Sequence, residues 1–547
     1  MNRLKKYSLL VGVMLVFFAC KKDLDIRNPN LPTPESAATE DGIISLAQGG
    51  VYVNGFRDLK YGDGIYGLFW SGAMGFHEML ADVVQAEAAN GFINQISTPD
   101  YVILDNGTKI LNPNAPNTQK ELVRQVNLNA NRGANFLYYE WAYMYSMISA
   151  CNSILEIGEK VEFANDGDSK KATLQAWAYF WKGYAYARIG SIYYAGLITN
   201  SSGTTNGDYV TKEQIIAESN SMLDKAASAI SSVSNTTAYN DVLGRLIPSF
   251  NQVGKGGILT QDMWKRNINT LKARNILVNT TVTEMSPAQW QSILTLTNDG
   301  IKANDKIFTG RTNATGDFLS SSGGTVSLKA QAALAGGNTY KLSERWVMEF
   351  KDGDKRKENN VLQTQTWIGN SDRGNSFNTR FTLINGSNHM PGVIIYSSST
   401  DGEYELYIAG SYEENELMKA EALMYTGSVD QGLASVDAVR VFQGAGLPAV
   451  SGTGLTLAQA KEELRRERRV AIAFLGLSFY DARRLGIINP LAQGGGRKGV
   501  IVVAPTTGVV NTNAQIEYGA LDYWDVPDNE LAYNPPSAGS APVKNPK

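Results

Sequence analysis

The chain has 547 residues, of which 43% are hydrophobic and 19% charged, with a formal net charge of −3. This length supports a large buried core, and 50 basic against 53 acidic residues offer no bulk attraction for a phosphate backbone, which argues against a nucleic-acid partner. Two histidines and two cysteines leave almost no material for a His-based zinc site, a serine triad or a disulfide framework, so no metal or cofactor is read from the sequence, whereas a carboxylate-pair hydrolase stays open.

Arg3, Lys5 and Lys6 form a positive start, and Tyr7 to Phe18 is almost uninterruptedly apolar before the small Ala19 and Cys20. A membrane-crossing helix needs about 20 apolar residues, so residues 1–19 read as a secretory signal peptide. Val16-Phe17-Phe18-Ala19-Cys20 resembles the lipobox of bacterial lipoproteins, with phenylalanines looser than the usual pattern. Cys20 would then carry the lipid and hold the protein on a membrane without crossing it. Losing the three cations of the signal takes the formal charge from −3 to −6. Cys151 then has no mate. Residues 20–38 are polar, with Pro32 and Pro34, and read as a flexible tether; residues 39–547 read as one domain.

Helical periodicity follows at Phe136–Glu159, where aromatic and aliphatic residues share a face. Leu174, Trp177, Trp181, Tyr184 and Ala185 predict one buried stripe. Gln214–Ile230 and Trp264–Leu277 look similar. Ser286, Pro287 and Gln289 supply an N-cap, a first-turn proline and a capping-box partner for a helix with Trp290, Ile293, Leu294 and Ile301 on its apolar stripe. Between about 308 and 409 the pattern fades into Gly, Ser, Asn and Thr with short strand-like runs such as Gly392–Tyr396, an irregular insertion of the kind that carries function. Helices return at Tyr412–Thr426, Gln431–Phe442 and Thr456–Ala473, the last opened by Thr456 and Gln459 in capping-box positions. After Asn489 the chain reads as loop. Helix pairs with short turns suggest a repeat of about 34 residues, clearest from Glu416 to Arg440 and similar to a tetratricopeptide unit.

Four stretches together resemble the SusD/RagB-type outer-membrane nutrient-binding lipoproteins. The strongest is Arg465-Arg466-Glu467-Arg468-Arg469, then Ala473-Phe474-Leu475-Gly476, then Phe479 to Gly486. The family's usual form is an Arg/Glu-rich helix, a Glu-Gly turn and an aromatic-Asp-Leu-Arg-Arg-Trp-Gly run. Here Leu475 replaces the glutamate, Ala482 the leucine and Leu485 the tryptophan. Glu416–Ala422 through Asp437–Arg440, the aromatic helix Ala176–Ala195, and Trp524–Leu531 with Asn534-Pro535 are the others. The resemblance implies a mainly α, SusD-like fold, with four tetratricopeptide-like helix pairs and a loop-rich ligand-facing side. It also implies a non-enzyme at the outer membrane that captures a glycan or oligopeptide for a SusC-like TonB-dependent transporter. The alternative from another class is a surface-anchored carboxylate-dependent glycoside hydrolase.

Glu467 falls on the inward stripe of its helix, so the Arg/Glu run reads as architecture, a buried carboxylate satisfied by arginines. For ligand contact, aromatic residues on loops are the natural candidates, because a flat ring buries apolar area at low rotamer cost. Tyr61 to Trp70, leading to His77, Glu78 and Asp82, is one such region, with Tyr66, Phe69, Trp70 and His77 as candidates. The insertion is the other, with Tyr340 and Trp367 as candidates beside Trp346. For each aromatic the competing reading is a core plug, and Trp141, Trp177 and Trp181 read as core. Gly62 to Gly67 matches G-x-G-x-x-G without the strand and helix that a dinucleotide site needs. Asp352 to Arg356 resembles a short family segment and reads as an Asp-stabilised turn in preference to a calcium loop.

Overall fold

A computed structural model describes residues 37–547 except 57–58, 61–65, 68, 87–90, 114–116, 314–318, 321–323, 332–339, 369–377 and 505–506. The signal segment, Cys20, nearly all of the tether and most of the glycine motif at 62–67 lie outside the described residues. Among these, the principal helices are α1 (Phe136–Gly158), α2 (Gly167–Ile192), α3 (Lys212–Ser232), α4 (Thr236–Leu246), α5 (Gln261–Val278), α6 (Pro287–Asn298), α7 (Tyr412–Tyr425), α8 (Val429–Phe442), α9 (Leu457–Ala471) and the short α10 (Ser478–Arg484). They pack as a stack in the order α1, α2, α3, α5, α6, α7, α8, α9, with α4 laid against α2. The periodic stretches read from the sequence are all helices within a few residues of the expected ends.

Local chemistry accounts for much of this. Capping boxes close the N-termini of α3 (Thr211 and Gln214), α6 (Ser286 and Gln289) and α9 (Thr456 and Gln459), satisfying end N–H groups that have no partner inside the helix. The helix α2 departs from expectation. It buries every residue from Ala176 to Ile192 except Tyr179, so its whole circumference is core, not one stripe. Gly183 makes this possible, because a Cβ there would lie 2.9 Å from Leu223 Cγ on α3. Cys151 of α1 is buried against α2, and burial, opposed by the nearby Lys182, pushes its thiol pKa up to about 12. Farther along the stack, the rings of Trp290 (α6) and Tyr425 (α7) lie 4.3 Å apart and nearly parallel.

The strands that matter here are β1 (Val84–Ala86), β2 (Tyr101–Ile103), β3 (Lys109–Leu111), β4 (Thr309–Asn313), β5 (Tyr340–Leu342), β6 (Val361–Ile368), β7 (Thr379–Leu383), β8 (Glu405–Tyr407), β9 (Arg497–Val503) and β10 (Val510–Glu517), beside shorter ones such as Tyr66–Gly67. The largest sheet is antiparallel in the order β9-β10-β2-β3; β1 pairs with β5, β6 with β7 and β4 with β8. Two expectations fail here. The region after Asn489 is not loop, since β9 and β10 carry the β-branched run Val500–Val503 and a small core of their own with Val102. Gly392–Tyr396 is a turn and irregular chain, not a strand.

The Arg/Glu helix α9 is tied by buried ion pairs, but not in the way its sequence implies. Glu467 is 2% exposed and accepts from Arg356 Nη1 at 2.5 Å and Arg440 Nε at 2.9 Å. Neither partner is one of the four arginines beside it in sequence. Those reach outward, Arg468 to Asp481, Arg465 to Glu349, and Arg466 and Arg469 to backbone carbonyls. Arg356 is itself gripped by Asp354, which also caps the helix Lys355–Asn360, so the Asp-rich turn serves this clamp. Burial alone would raise the pKa of Glu467, but Arg356 and Arg440 outweigh it and hold the carboxyl below the usual carboxylate range. Replacing Glu467 with Ala takes the shared carboxylate from two buried guanidiniums, leaving Arg356 with Asp354 alone and Arg440 with Glu463 at the rim. Denaturant titration of E467A is expected to show a loss of about 3–5 kcal/mol, and a loss under about 1 kcal/mol would refute the clamp.

Candidate functional site

The residues singled out for ligand contact separate into two groups. Phe69, Trp70, His77 and Tyr340 are all buried, at 0–2% exposure. Phe69 and Trp70 sit on a turn of π-helix, with Trp70 stacked 5.0 Å from Phe56 and Phe69 against Tyr143. Tyr340 donates to Ser71 O at 2.5 Å and carries β5 onto β1. Solvent does not reach these four side chains, and their aromatic area is spent on the core. Tyr66 and Trp367 lie on short strands, and their side chains are outside the described residues. Trp346 is buried too, donating from Nε1 to Arg469 O, and Trp141, Trp177 and Trp181 are core as expected.

His77 belongs to a buried charge group. Its Nε2 lies 3.0 Å from Glu140 Oε2 and 3.2 Å from Arg188 Nη2, and Arg188 Nε donates to Glu140 Oε1 at 2.6 Å. Burial lowers the pKa of His77 against the pull of Glu140, so the ring is neutral near pH 7. The adjoining Glu78 has a structural task that the sequence did not reveal. Its carboxyl accepts from Gly476 N at 3.0 Å and Ser478 Oγ at 2.7 Å, and it bonds the backbone of Phe474. This holds the turn 474–476, where Phe474 has φ +66° and Gly476 φ +67°. A bulky residue in that region of φ is strained and persists only when its surroundings enforce it. At Gly476 any Cβ would also collide with Met74, 2.4 Å away.

The clamped turn forms one wall of a cavity of about 210 Å3. Tyr396, Tyr404 and Tyr407 also line it, with Glu403, Glu405 and Glu413 among them. Glu405 is engaged by Arg311 and by the backbone N–H groups of Lys255 and Gly256. Glu403 takes the hydroxyl of Ser398 and lies 3.5 Å from the exposed His389. Glu413, in the first turn of α7, differs from both. It is 1% exposed, its Oε1 accepts from Gln443 Nε2 at 3.3 Å, and its Oε2 has no hydrogen-bond partner. Burial raises its pKa. Burial also pushes the Tyr404 hydroxyl up to about 12. Tyr396 and Tyr404 are themselves buried, and Tyr396 donates its hydroxyl to Val470 O, so the half-buried Tyr407 and the unsatisfied oxygen of Glu413 are the groups left to meet a ligand with a flat apolar face and hydroxyls. The volume admits one sugar ring or one side chain, not a whole oligomer. Among the described residues no group of three or more His, Cys, Asp or Glu side chains is arranged to hold a metal ion, and no helix is long and apolar enough to cross a membrane.

Sequence reasoning missed Tyr396, Tyr404, Tyr407 and Glu413. The one available signal was Tyr404-Glu405-Leu406-Tyr407, a strand pattern with aromatics and a carboxylate inside the insertion.

The whole chain can be set against known proteins. No protein-family model matches it, and no curated protein matches it by sequence. Solved structures do match. A SusD-like carbohydrate-binding protein from Bacteroides fragilis superposes with a TM-score of 0.57 at 16% identity, covering 92% of this chain and 98% of that one. A SusD superfamily protein from Parabacteroides distasonis gives 0.53 at 13% identity, over 91% and 98% of the two chains. A structure described with a xylogluco-oligosaccharide gives 0.55 at 14% identity, over 93% and 99%. The chain therefore has the SusD-type fold, mainly helical with small sheets.

Glu78 makes the clamp pH-sensitive. Its pKa in the folded chain is about 7 against an ordinary 4.5, so the folded state keeps a proton that the unfolded state releases. The stability linked to that proton is complete below about pH 4.5 and drains away as pH rises to about 7. E78Q keeps the shape without the ionisation. Comparing wild type and E78Q by denaturant titration at pH 4.5 and 8 is expected to show a smaller loss for the variant, by up to about 3 kcal/mol. Equal losses would mean that Glu78 does not titrate in this range.

Proposed function

We propose that this protein is a cell-surface glycan-capturing protein and not an enzyme, which binds an oligosaccharide and delivers it to a SusC-like TonB-dependent outer-membrane transporter. The observation that carries the reading is the SusD-type fold extending over 92% of the chain, shared with a protein described as carbohydrate-binding; a third structure described with a xylogluco-oligosaccharide lends further support. Anchoring through lipid on Cys20 at the outer membrane belongs to the same proposal, supported by the basic start, the apolar run and the small residue before the cysteine.

Within this reading the cavity walled by Tyr396, Tyr404, Tyr407 and Phe474 takes the terminal ring of the glycan. Tyr66 and Trp367 are proposed as further contacts, on the strength of the sequence alone. Phe69, Trp70, His77 and Tyr340 support the site from within the core.

Calorimetric titration with xylogluco-oligosaccharides, other neutral oligosaccharides and mixed oligopeptides tests the proposal, with each ligand checked afterwards for cleavage. Binding of a glycan recovered intact is the expected result. Peptide binding alone would replace the ligand class, and cleaved glycan would replace capture with hydrolysis. Tyr407→Ala is expected to weaken glycan binding about tenfold, the worth of one stacked ring. Unchanged affinity would remove the cavity from the ligand path.

A further inference from the structure

Behind the family-like motif, where α9 meets α10, lies a narrow crevice with room for about one water-sized body, some 20 Å3. Arg465, Arg468, Arg469 and Arg497 line it, with Ser478, the apolar side chains of Ala482, Leu485 and Ile487, and one carboxylate, Asp481. Among these lining residues positive charge is in excess. Asp481 is shared, accepting from Arg468 Nε and Nη2 and from Arg484 Nε. Arg465 is paired outward with Glu462 through two hydrogen bonds of 2.7 Å, and Glu349, behind the wall, is shared by Arg465 at 2.7 Å, Arg469 at 3.0 Å and Arg497 at 4.0 Å. Asp82 is taken up chiefly by both arms of Arg345 and lies 3.9 Å from Arg497.

Two observations point to something that fits between these cations. The Arg468 side chain is 5% exposed, and its Nη1 has no hydrogen-bond partner although Nε and Nη2 are both engaged. A buried charged donor with its hydrogen bond unmade is costly. Second, Arg469 is destabilised as a cation: burial, then the neighbouring Arg497, brings its pKa down to about 10. Hydrogen bonds from Arg469 to Ala81 O and Asp82 O satisfy donors but supply no negative charge, and Glu349, 3.0 Å from its Nε, is shared with Arg465 and Arg497.

We propose that this crevice is a binding site for one small monovalent anion of chloride size, held by Arg468 Nη1 and the surrounding guanidiniums. The anion supplies the missing counter-charge between α9, α10 and β9. Its class follows from the space and the donors: the crevice is too small for phosphate or a sugar carboxylate, and its donors are all cationic except the Ser478 hydroxyl, which is committed to Glu78.

Crystals of the purified protein grown or soaked in sodium bromide test this directly, since bromide substitutes for chloride and is located by anomalous scattering. A bromide peak within hydrogen-bonding reach of Arg468 Nη1 is expected. In parallel, replacing sodium gluconate by sodium chloride at constant ionic strength is expected to raise Tm saturably, by about 1 °C or more. Ala482→Val fills the crevice without touching an arginine, and Arg468→Lys keeps the charge while removing Nη1; both are expected to abolish the chloride-specific rise. No bromide peak, equal Tm in the two salts, or a full chloride effect persisting in A482V would each overturn the proposal.

Discussion

Glu467 sits where water does not reach, held by Arg356 from the insertion and Arg440 from α8. Each ion of such a trio costs several kcal/mol to desolvate, and the arrangement is favourable because both carboxyl oxygens and all guanidinium arms but Arg440 Nη1 find a partner. That condition fixes the relative positions of three distant pieces of chain. The same logic recurs at Arg484 with Glu421 and Asp481, at Arg274 with Glu414, and at Arg345 with Asp82. Stacked helix pairs by themselves bind only their neighbours in sequence. These buried pairs tie the stack to the insertion and to the sheets, so that the irregular half has a defined place to stand on.

The cavity depends on that framework at one remove. Its wall at Phe474 adopts a backbone conformation that a phenylalanine avoids, and Glu78, far away in sequence, holds it there. Where the family pattern has a glutamate before Gly476, this chain has Leu475, and the carboxylate that grips the turn comes from another helix. His77, next to Glu78 in the chain, makes a second buried polar cluster with Glu140 and Arg188, each in contact with the other two. A ligand in the cavity would rest on a wall whose rigidity is electrostatic in origin.

How far the sequence could be read follows from which forces are local. Helices such as α1, α6 and α9 were legible because periodicity and capping boxes act within a few residues. The helix α4 went unread although Ala238, Tyr239, Val242, Leu243 and Leu246 recur at helical spacing behind the Asn235 cap, and β9 with β10 were hidden among Gly, Pro and Thr although Val500–Val503 is a strand-forming run. The fold class was legible from the combination of motifs. The site was not. Whether Trp70 is a shelf or a plug is decided by Phe56 and Phe69, and nothing in its own neighbourhood records that Phe56 will stack on it. Likewise the charge of the Arg/Glu helix predicted that Glu467 would be paired, but its partners are 27 and 111 residues away and its adjacent arginines all point elsewhere.

Cys151 closes the seam between the first two helices of the stack, with its thiol buried and strongly disfavoured as a thiolate. Thiolate is the reactive form, so alkylating agents and disulfides will pass the folded protein by. Reaction requires α1 and α2 to part. The rate at which this one sulfur is modified therefore times the opening of the seam, and the molecule carries its own stopwatch for breathing at the end of the stack that buries most of the aromatic core.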